Sequence, residues 1–126
     1  MDKRKRQEIL ATPCGAALNL LVETAVFERR SCACGSSRDL VADTGCCAKC
    51  NLPFAALWSE SHSACVFLLK KVKEWAFQKR NRFLDFLGDA IAFRTASGKI
   101  EPKQWILLGT PQDICRAAVL ACSEQN

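Results

Sequence analysis

The sequence predicts a mainly α-helical domain with a small cysteine-held β-hairpin inserted after its first helix. Three observations carry this expectation. Apolar residues recur at helical spacing over most of the chain. The cysteines concentrate in one short stretch between two helical patterns. That stretch has no helical period of its own, but it holds closely paired thiols and turn-permitting glycines. At 126 residues, 49% of them hydrophobic, the chain suits a single domain spanning 1–126, with a modest core that a cross-link could reinforce.

The elements follow in order. Residues 1–11 carry the cluster Lys3, Arg4, Lys5 and Arg6 and read as a basic, flexible end. The cluster also has the composition of a nuclear-targeting signal. No apolar stretch of the secretory kind follows it, so the expected location is intracellular, cytoplasmic or nuclear, and not secreted. Thr12-Pro13 looks like an N-cap followed by proline at the first helical position. A helix from about 13 to 28 would place Leu18, Leu21, Val22 and Ala25 on one face. The metal-binding element is expected over 30–66, with 38–43 as a short strand.

A long amphipathic basic helix is expected over 59–95. At about 100° per residue, Cys65, Leu68, Leu69, Val72, Trp75 and Ala76 share a stripe that Phe83, Phe86, Leu87 and Ala90 continue. Lys70, Lys71, Gln78, Asn81 and Arg82 take the opposite side, while Lys79 and Arg80 flank the stripe and mark a bend or snorkel. Beyond it, Trp105-Ile-Leu-Leu108 forms a short apolar piece. Thr110-Pro111 repeats the cap-plus-proline start, with Asp113 suited to the first turn of a C-terminal helix over 110–122.

The thiol spacing is the most informative local signal. Cys32-Ala-Cys34-Gly35 is followed, after twelve residues beyond Cys34, by Cys47-Ala-Lys-Cys50, with Cys46 abutting the second pair. His62-Ser-Ala-Cys65 comes eleven residues later. Sulfurs one or two residues apart on a tight turn can converge on one tetrahedral ion, which predicts a structural zinc site. Two ligand sets compete. Cys32, Cys34, Cys47 and Cys50 form the preferred set. Cys47, Cys50, His62 and Cys65 form the alternative, since residues three apart share a helix face; Cys46 is a further reserve ligand. Disulfides are disfavoured, because nine cysteines cannot all pair internally and a reducing compartment opposes them. Cys14, Cys115 and Cys122 lie on apolar helical patterns and read as small core residues.

The first set resembles a zinc ribbon, although only one residue separates its first pair; the second resembles a treble clef. Both resemblances cover about residues 30–66 and imply a metal more than a function. In size, basic N-terminus and cysteine cluster the chain also loosely resembles the basic cysteine-rich proteins of plant RNA viruses. That resemblance implies nucleic-acid binding and a regulatory role.

Composition narrows the function classes. A net charge of +5 permits a polyanionic partner. No apolar run is long enough to cross a bilayer, so no membrane partner is expected. Four saturated ligands would leave zinc no open position, His62 is the sole histidine, and no nucleophile, carboxylate-pair or phosphate-loop motif stands out, so no enzyme is expected. The leading expectation is non-specific binding of RNA or DNA by the basic helix. Lys70, Lys71, Lys73, Lys79 and Arg82 would meet phosphates, and Phe77, off the apolar stripe, would offer a base a stacking face. The alternative is a zinc-stabilised protein–protein adaptor or homodimer, using apolar residues in excess of what one small core needs.

Overall fold

The computed structural model describes residues 3–42, 44–95 and 109–124. The expected apolar piece at 105–108 lies outside the described residues. Those described are mainly helical: α1 (Lys3–Ala11), α2 (Ala16–Leu21) running into a π-helical turn (Val22–Val26), α3 (His62–Lys73), α4 (Phe77–Thr95) and α5 (Pro111–Ser123).

The central element is α5, whose residues Cys115, Ala117, Ala118, Val119, Leu120 and Ala121 are all buried. Small side chains let the other helices approach it closely, and the main core gathers around it. Leu18, Val22 and Val26 come from the second helix, Leu68 and Val72 from α3, Phe83, Phe86 and Ala90 from α4, and Ile9 and Leu10 from α1. The start of α5 fits the sequence expectation. Thr110 caps it and Asp113 returns the bond to the Thr110 N–H, with Pro111 in the first turn. Asp113 is fully buried, and its carboxylate accepts from Arg94 Nε at 3.0 Å through both oxygens. Arg116 lies 3.9 Å from the same carboxylate and donates to the Thr12 carbonyl at 2.8 and 3.1 Å. One ion network thereby ties α4, α5 and the end of α1 together.

Three expectations about the helices need correction. The basic N-terminal segment is helical from Lys3, because Ile9 and Leu10 are adjacent apolar residues that the core buries, and the Arg4–Glu8 pair supports the outer face. Thr12 closes α1 and does not open the next helix. Its hydroxyl donates to the Glu8 carbonyl at 2.8 Å, and Pro13 follows where the chain can no longer continue the helix. The long helix over 59–95 is two helices, α3 and α4, separated at 74–76. There Glu74 and Trp75 make short-range bonds to Lys71 and Val72, and Trp75 turns edge-on to Phe83 at 6.3 Å. Val72 and Phe83 stand about three helical turns apart, so the apolar period runs through the break without registering it.

The β-hairpin is the largest correction. Among the described residues there is no strand or sheet, only isolated bridges at Ser31↔Ser37, Val41↔Cys47 and Cys46↔Pro53. The region uses its backbone groups in local turns. Cys32 N–H donates to Ser36 and Gly35 N–H to Cys32, while Arg38–Leu40 tightens into a 3₁₀ turn capped by the Ser37 hydroxyl. No run is left long enough to form a ladder.

Candidate metal centre

Two knuckle turns build the centre. In the first, Gly35 N–H closes on the Cys32 carbonyl at 2.9 Å with Gly35 at φ +90°, a backbone shape that side chains disfavour. In the second, Asn51 takes φ +63° and donates to the Cys47 carbonyl at 2.8 Å, while Cys47 N–H donates to Leu52 at 2.9 Å. Each turn aims its two sulfurs toward the other turn.

The four sulfurs of Cys32, Cys34, Cys47 and Cys50 lie within 4.8 Å of one another. Cys34 to Cys47 is 3.7 Å and Cys32 to Cys50 is 3.6 Å. A tetrahedron of sulfurs about 2.3 Å from a central ion has edges of about 3.8 Å. The donor set therefore fits a tetrahedral metal ion in both size and chemistry. These separations are far longer than a disulfide bond, and all nine cysteines are free thiols. Cys32 and Cys47 are buried, Cys50 is half-buried and Cys34 is exposed.

The thiols do not ionise alike. Ser36, through its hydroxyl and then its backbone N–H, pulls the Cys34 thiol from 9.0 down to about 6. The backbone N–H groups of Cys50 and Lys49 lower Cys47. At Cys50 the Leu52 N–H pulls downward, but burial and the thiols of Cys32, Cys34 and Cys47 outweigh it and raise the group to about 11. Crowded sulfurs cannot all carry charge unaided, so the first protons leave easily and the last is held. A bound cation reverses that balance and favours all four thiolates.

Beneath the sulfurs lies a satellite core of Cys32, Cys47 and Phe54, flanked by Leu20, Val41, Cys50 and Ala55. Polar groups fasten it to the second helix. Buried Glu23 accepts from Trp58 Nε1 at 3.0 Å and Ala56 N–H at 3.2 Å. Arg29 pairs with Glu23 at 3.5 Å, lies 4.3 Å over the Phe54 ring and donates to the Phe54 carbonyl. Buried Asn19 accepts from Ser59 N–H at 2.8 Å and from the Ser59 hydroxyl at 2.6 Å. Gly45, at φ +86°, sits where an added Cβ would come within 3.2 Å of Ala16 Cβ, so the second knuckle meets α2 closely.

The structure gathers the preferred ligand set and leaves the alternative apart. Cys46 is half-buried beside the cluster but outside the four-sulfur group. His62 and Cys65 open α3 near Thr110, Pro111 and Ile114. Cys65 is buried there, where burial pushes its thiol from 9.0 up to about 11, and it stands outside the four-sulfur group. Cys115 and Cys122 are likewise raised by burial, as expected of core residues. Cys14 departs from that expectation. It is exposed, and its thiol donates to the Ser59 carbonyl at 3.1 Å.

The basic residues divide between two helices. Lys70 lies 5.0 Å over the Phe67 ring, Lys71 reaches Glu74 at 4.0 Å, and Lys79 lies 4.2 Å over Trp75. Lys73 and Arg82 are exposed, and Phe77, the first residue of α4, is 69% exposed. Of the N-terminal cluster, Arg4 pairs with Glu8, and Arg6 reaches Glu124 at 3.8 Å and lies 5.4 Å over Phe86, so it serves the fold as well as adding charge. Lys3 and Lys5 are exposed on α1. Sequence reasoning missed Glu23, Arg29, Asn19 and Ser59, which no local motif marks, and Ser36, whose place one residue after Gly35 was a usable signal.

Comparison with known proteins adds no relative: no family model, no curated protein and no solved structure matches the chain. The likeness to viral cysteine-rich proteins therefore stays a matter of composition. No helix among the described residues is long and apolar enough to cross a membrane. The fold and site define a small, mainly helical, cysteine-rich protein in which four thiols can hold a metal ion.

Proposed function

We propose that the chain is a small structural-zinc protein that binds nucleic acid non-specifically through the basic residues of α3 and α4, in a regulatory and non-catalytic capacity. The convergence of Cys32, Cys34, Cys47 and Cys50 carries the metal reading. A tetrahedral all-sulfur set suits zinc, which would supply a cross-link between the two knuckles and no open coordination position. The nucleic-acid reading is supported by the concentration of Lys70, Lys71 and Lys73 in the last turn of α3, next to exposed Phe77 and, one helical segment on, Arg82. Lysine and arginine neutralise phosphates, and an exposed ring gives any base a stacking surface.

Replacing Lys70, Lys71 and Arg82 with glutamine tests this reading. Binding to single- and double-stranded oligonucleotides should weaken, and the salt slope should fall by about 0.7–0.9 for each phosphate no longer neutralised. A parent protein that binds no oligonucleotide at low salt removes the reading.

One observation favours an adaptor or homodimer as the second reading. Val66, Phe67 and Leu69 of α3 are 51%, 60% and 36% exposed. An apolar interface there would persist as salt rises, whereas phosphate binding would not.

A further inference from the structure

Beside the first knuckle lies an open polar cleft of about 470 Å³, lined by Thr24, Arg29, Arg30, Ser37, Arg38 and Asp39. Three arginines thus line it together with one aspartate and two hydroxyl residues. The knuckle sets this arrangement. Arg38 N–H donates to the Arg30 carbonyl at 3.0 Å, and Ser31 and Ser37 bridge just inside that pair. Arg30 and Arg38 therefore form the base of the same loop whose tip carries Cys32 and Cys34. Arg29 forms the fixed wall of the cleft, held by Glu23 and by the ring of Phe54. Arg30 is exposed and Arg38 half-buried, and neither makes an ion pair among the described residues.

We propose that this cleft is a phosphate-binding site that takes the sugar–phosphate backbone of a nucleic acid, a second docking point distinct from the helical lysines. The guanidinium forks of Arg30 and Arg38, which make no ion pair among the described residues, can each match phosphate oxygens two at a time, which a single lysine cannot do. The Ser37 hydroxyl, which accepts from Asp39 N–H, has its own hydrogen to add as a neutral donor at the same wall, while the Thr24 hydroxyl is held by the Leu20 and Leu21 carbonyls. Asp39 opposes a free anion of high charge and favours a singly charged phosphodiester. A metal in the adjoining centre would fix the loop and so hold Arg30 and Arg38 in place. The inference rests on the nucleic-acid reading above and adds a site to it.

The test compares zinc-loaded parent protein with Arg30→Gln/Arg38→Gln, Arg30→Lys/Arg38→Lys and the Lys70→Gln/Lys71→Gln/Arg82→Gln variant. Binding of a fluorescent single-stranded oligonucleotide is followed by anisotropy across a salt series. The double glutamine variant should bind about tenfold more weakly at low salt, with a slope lower by about 1.4, the equivalent of two single-strand phosphates. The double lysine variant should keep most of the slope but bind severalfold more weakly, because charge remains and the fork does not. If the glutamine variant fails to hold zinc, the lysine variant decides by that same weakening. Inorganic phosphate should displace the oligonucleotide no better than chloride of equal ionic strength; displacement by phosphate at micromolar levels would make the cleft a free-anion site and overturn the proposal. Arg30 and Arg38 variants that bind like the parent, beside a weakened Lys70→Gln/Lys71→Gln/Arg82→Gln variant, overturn the cleft alone. A parent that binds no oligonucleotide removes the underlying reading with it.

Discussion

The helical bundle and the thiol region of this protein are stabilised by different means. Among the described residues, the bundle buries sixteen apolar side chains around α5 and closes the deep charge of Asp113 with two arginines. The thiol region has a buried core of only Cys32, Cys47 and Phe54, no strand among its described residues, and turns held by local backbone hydrogen bonds and a few polar ties to the second helix. So small an apolar cluster cannot offset the ordering of some twenty backbone residues, each costing about 1–2 kcal/mol. The bundle can be stable by packing, whereas the knuckles need a cross-link. Four sulfurs at tetrahedral separations are that cross-link once an ion binds.

The largest effect expected is from removing a ligand. Cys47→Ser, or prolonged chelation, should abolish metal binding and open the 30–57 region while leaving the helical circular dichroism mostly intact. Amide hydrogen exchange should show the knuckle turns losing protection and α5 keeping it. Metal-linked folding free energy in small zinc units is about 10 kcal/mol or more, so partial retention of those turns is not expected. Equal loss of protection in both regions would mean that they fold as one unit.

The reverse experiment strikes the bundle. Asp113→Ala leaves the Arg94 and Arg116 charges without their buried partner and should cost about 3–5 kcal/mol. Thermal denaturation should show the midpoint falling by more than about 10 °C while the metal stays bound below it. Release of the metal from this variant at 25 °C would contradict the separation of the two regions.

Smaller still is the alkaline response of the bundle. The Cys65 thiol is pushed up to about 11 in the folded protein by burial, and Cys115 is raised by burial as well. Each is held neutral where the unfolded chain would ionise near 9.0. The stabilisation from Cys65 is fully present below pH 9 and is lost as pH rises toward 11, and that from Cys115 declines in the same direction. Denaturant midpoints should therefore fall between pH 9 and pH 11. Cys65→Ala and Cys115→Ala should each flatten that fall, and a fall of unchanged size in both would place its origin elsewhere.

The smallest stability change is expected at Lys70, Lys71 and Arg82. Their replacement by glutamine should leave the denaturation midpoint within about 0.5 kcal/mol of the parent, since these heads are largely outside the packed core. Oligonucleotide affinity measured on the same samples should still drop.

The two regions also differ in how far the sequence revealed them. Helical spacing located Leu18, Val22, Leu68, Val72, Phe83 and Phe86 in the core, and the Thr110-Pro111…Asp113 pattern located the start of α5. It failed where two different backbones leave the same pattern. The break between α3 and α4 falls at a point the apolar period crosses unchanged, and Thr12-Pro13 suits a helix end as well as a helix start. In the thiol region, spacing alone brought Cys32, Cys34, Cys47 and Cys50 together correctly, because ligand convergence depends on short turns. The same spacing misled about the backbone between the pairs, where turn hydrogen bonds at Cys32, Gly35 and Arg38 displace the ladder that a hairpin would need. The polar ties from Glu23, Asn19 and Arg29 span 25 residues or more and have no local signature.

Native mass spectrometry of the purified protein tests the metal centre most directly, with parent, Cys34→Ser and Cys65→Ser compared under identical conditions. The parent should carry one zinc ion, its mass at a given charge state raised by that ion less the two protons whose charge it replaces. Cys34→Ser should lose the ion and Cys65→Ser should keep it. A metal-free parent, or an ion that survives Cys34→Ser and is lost in Cys65→Ser, would contradict the account.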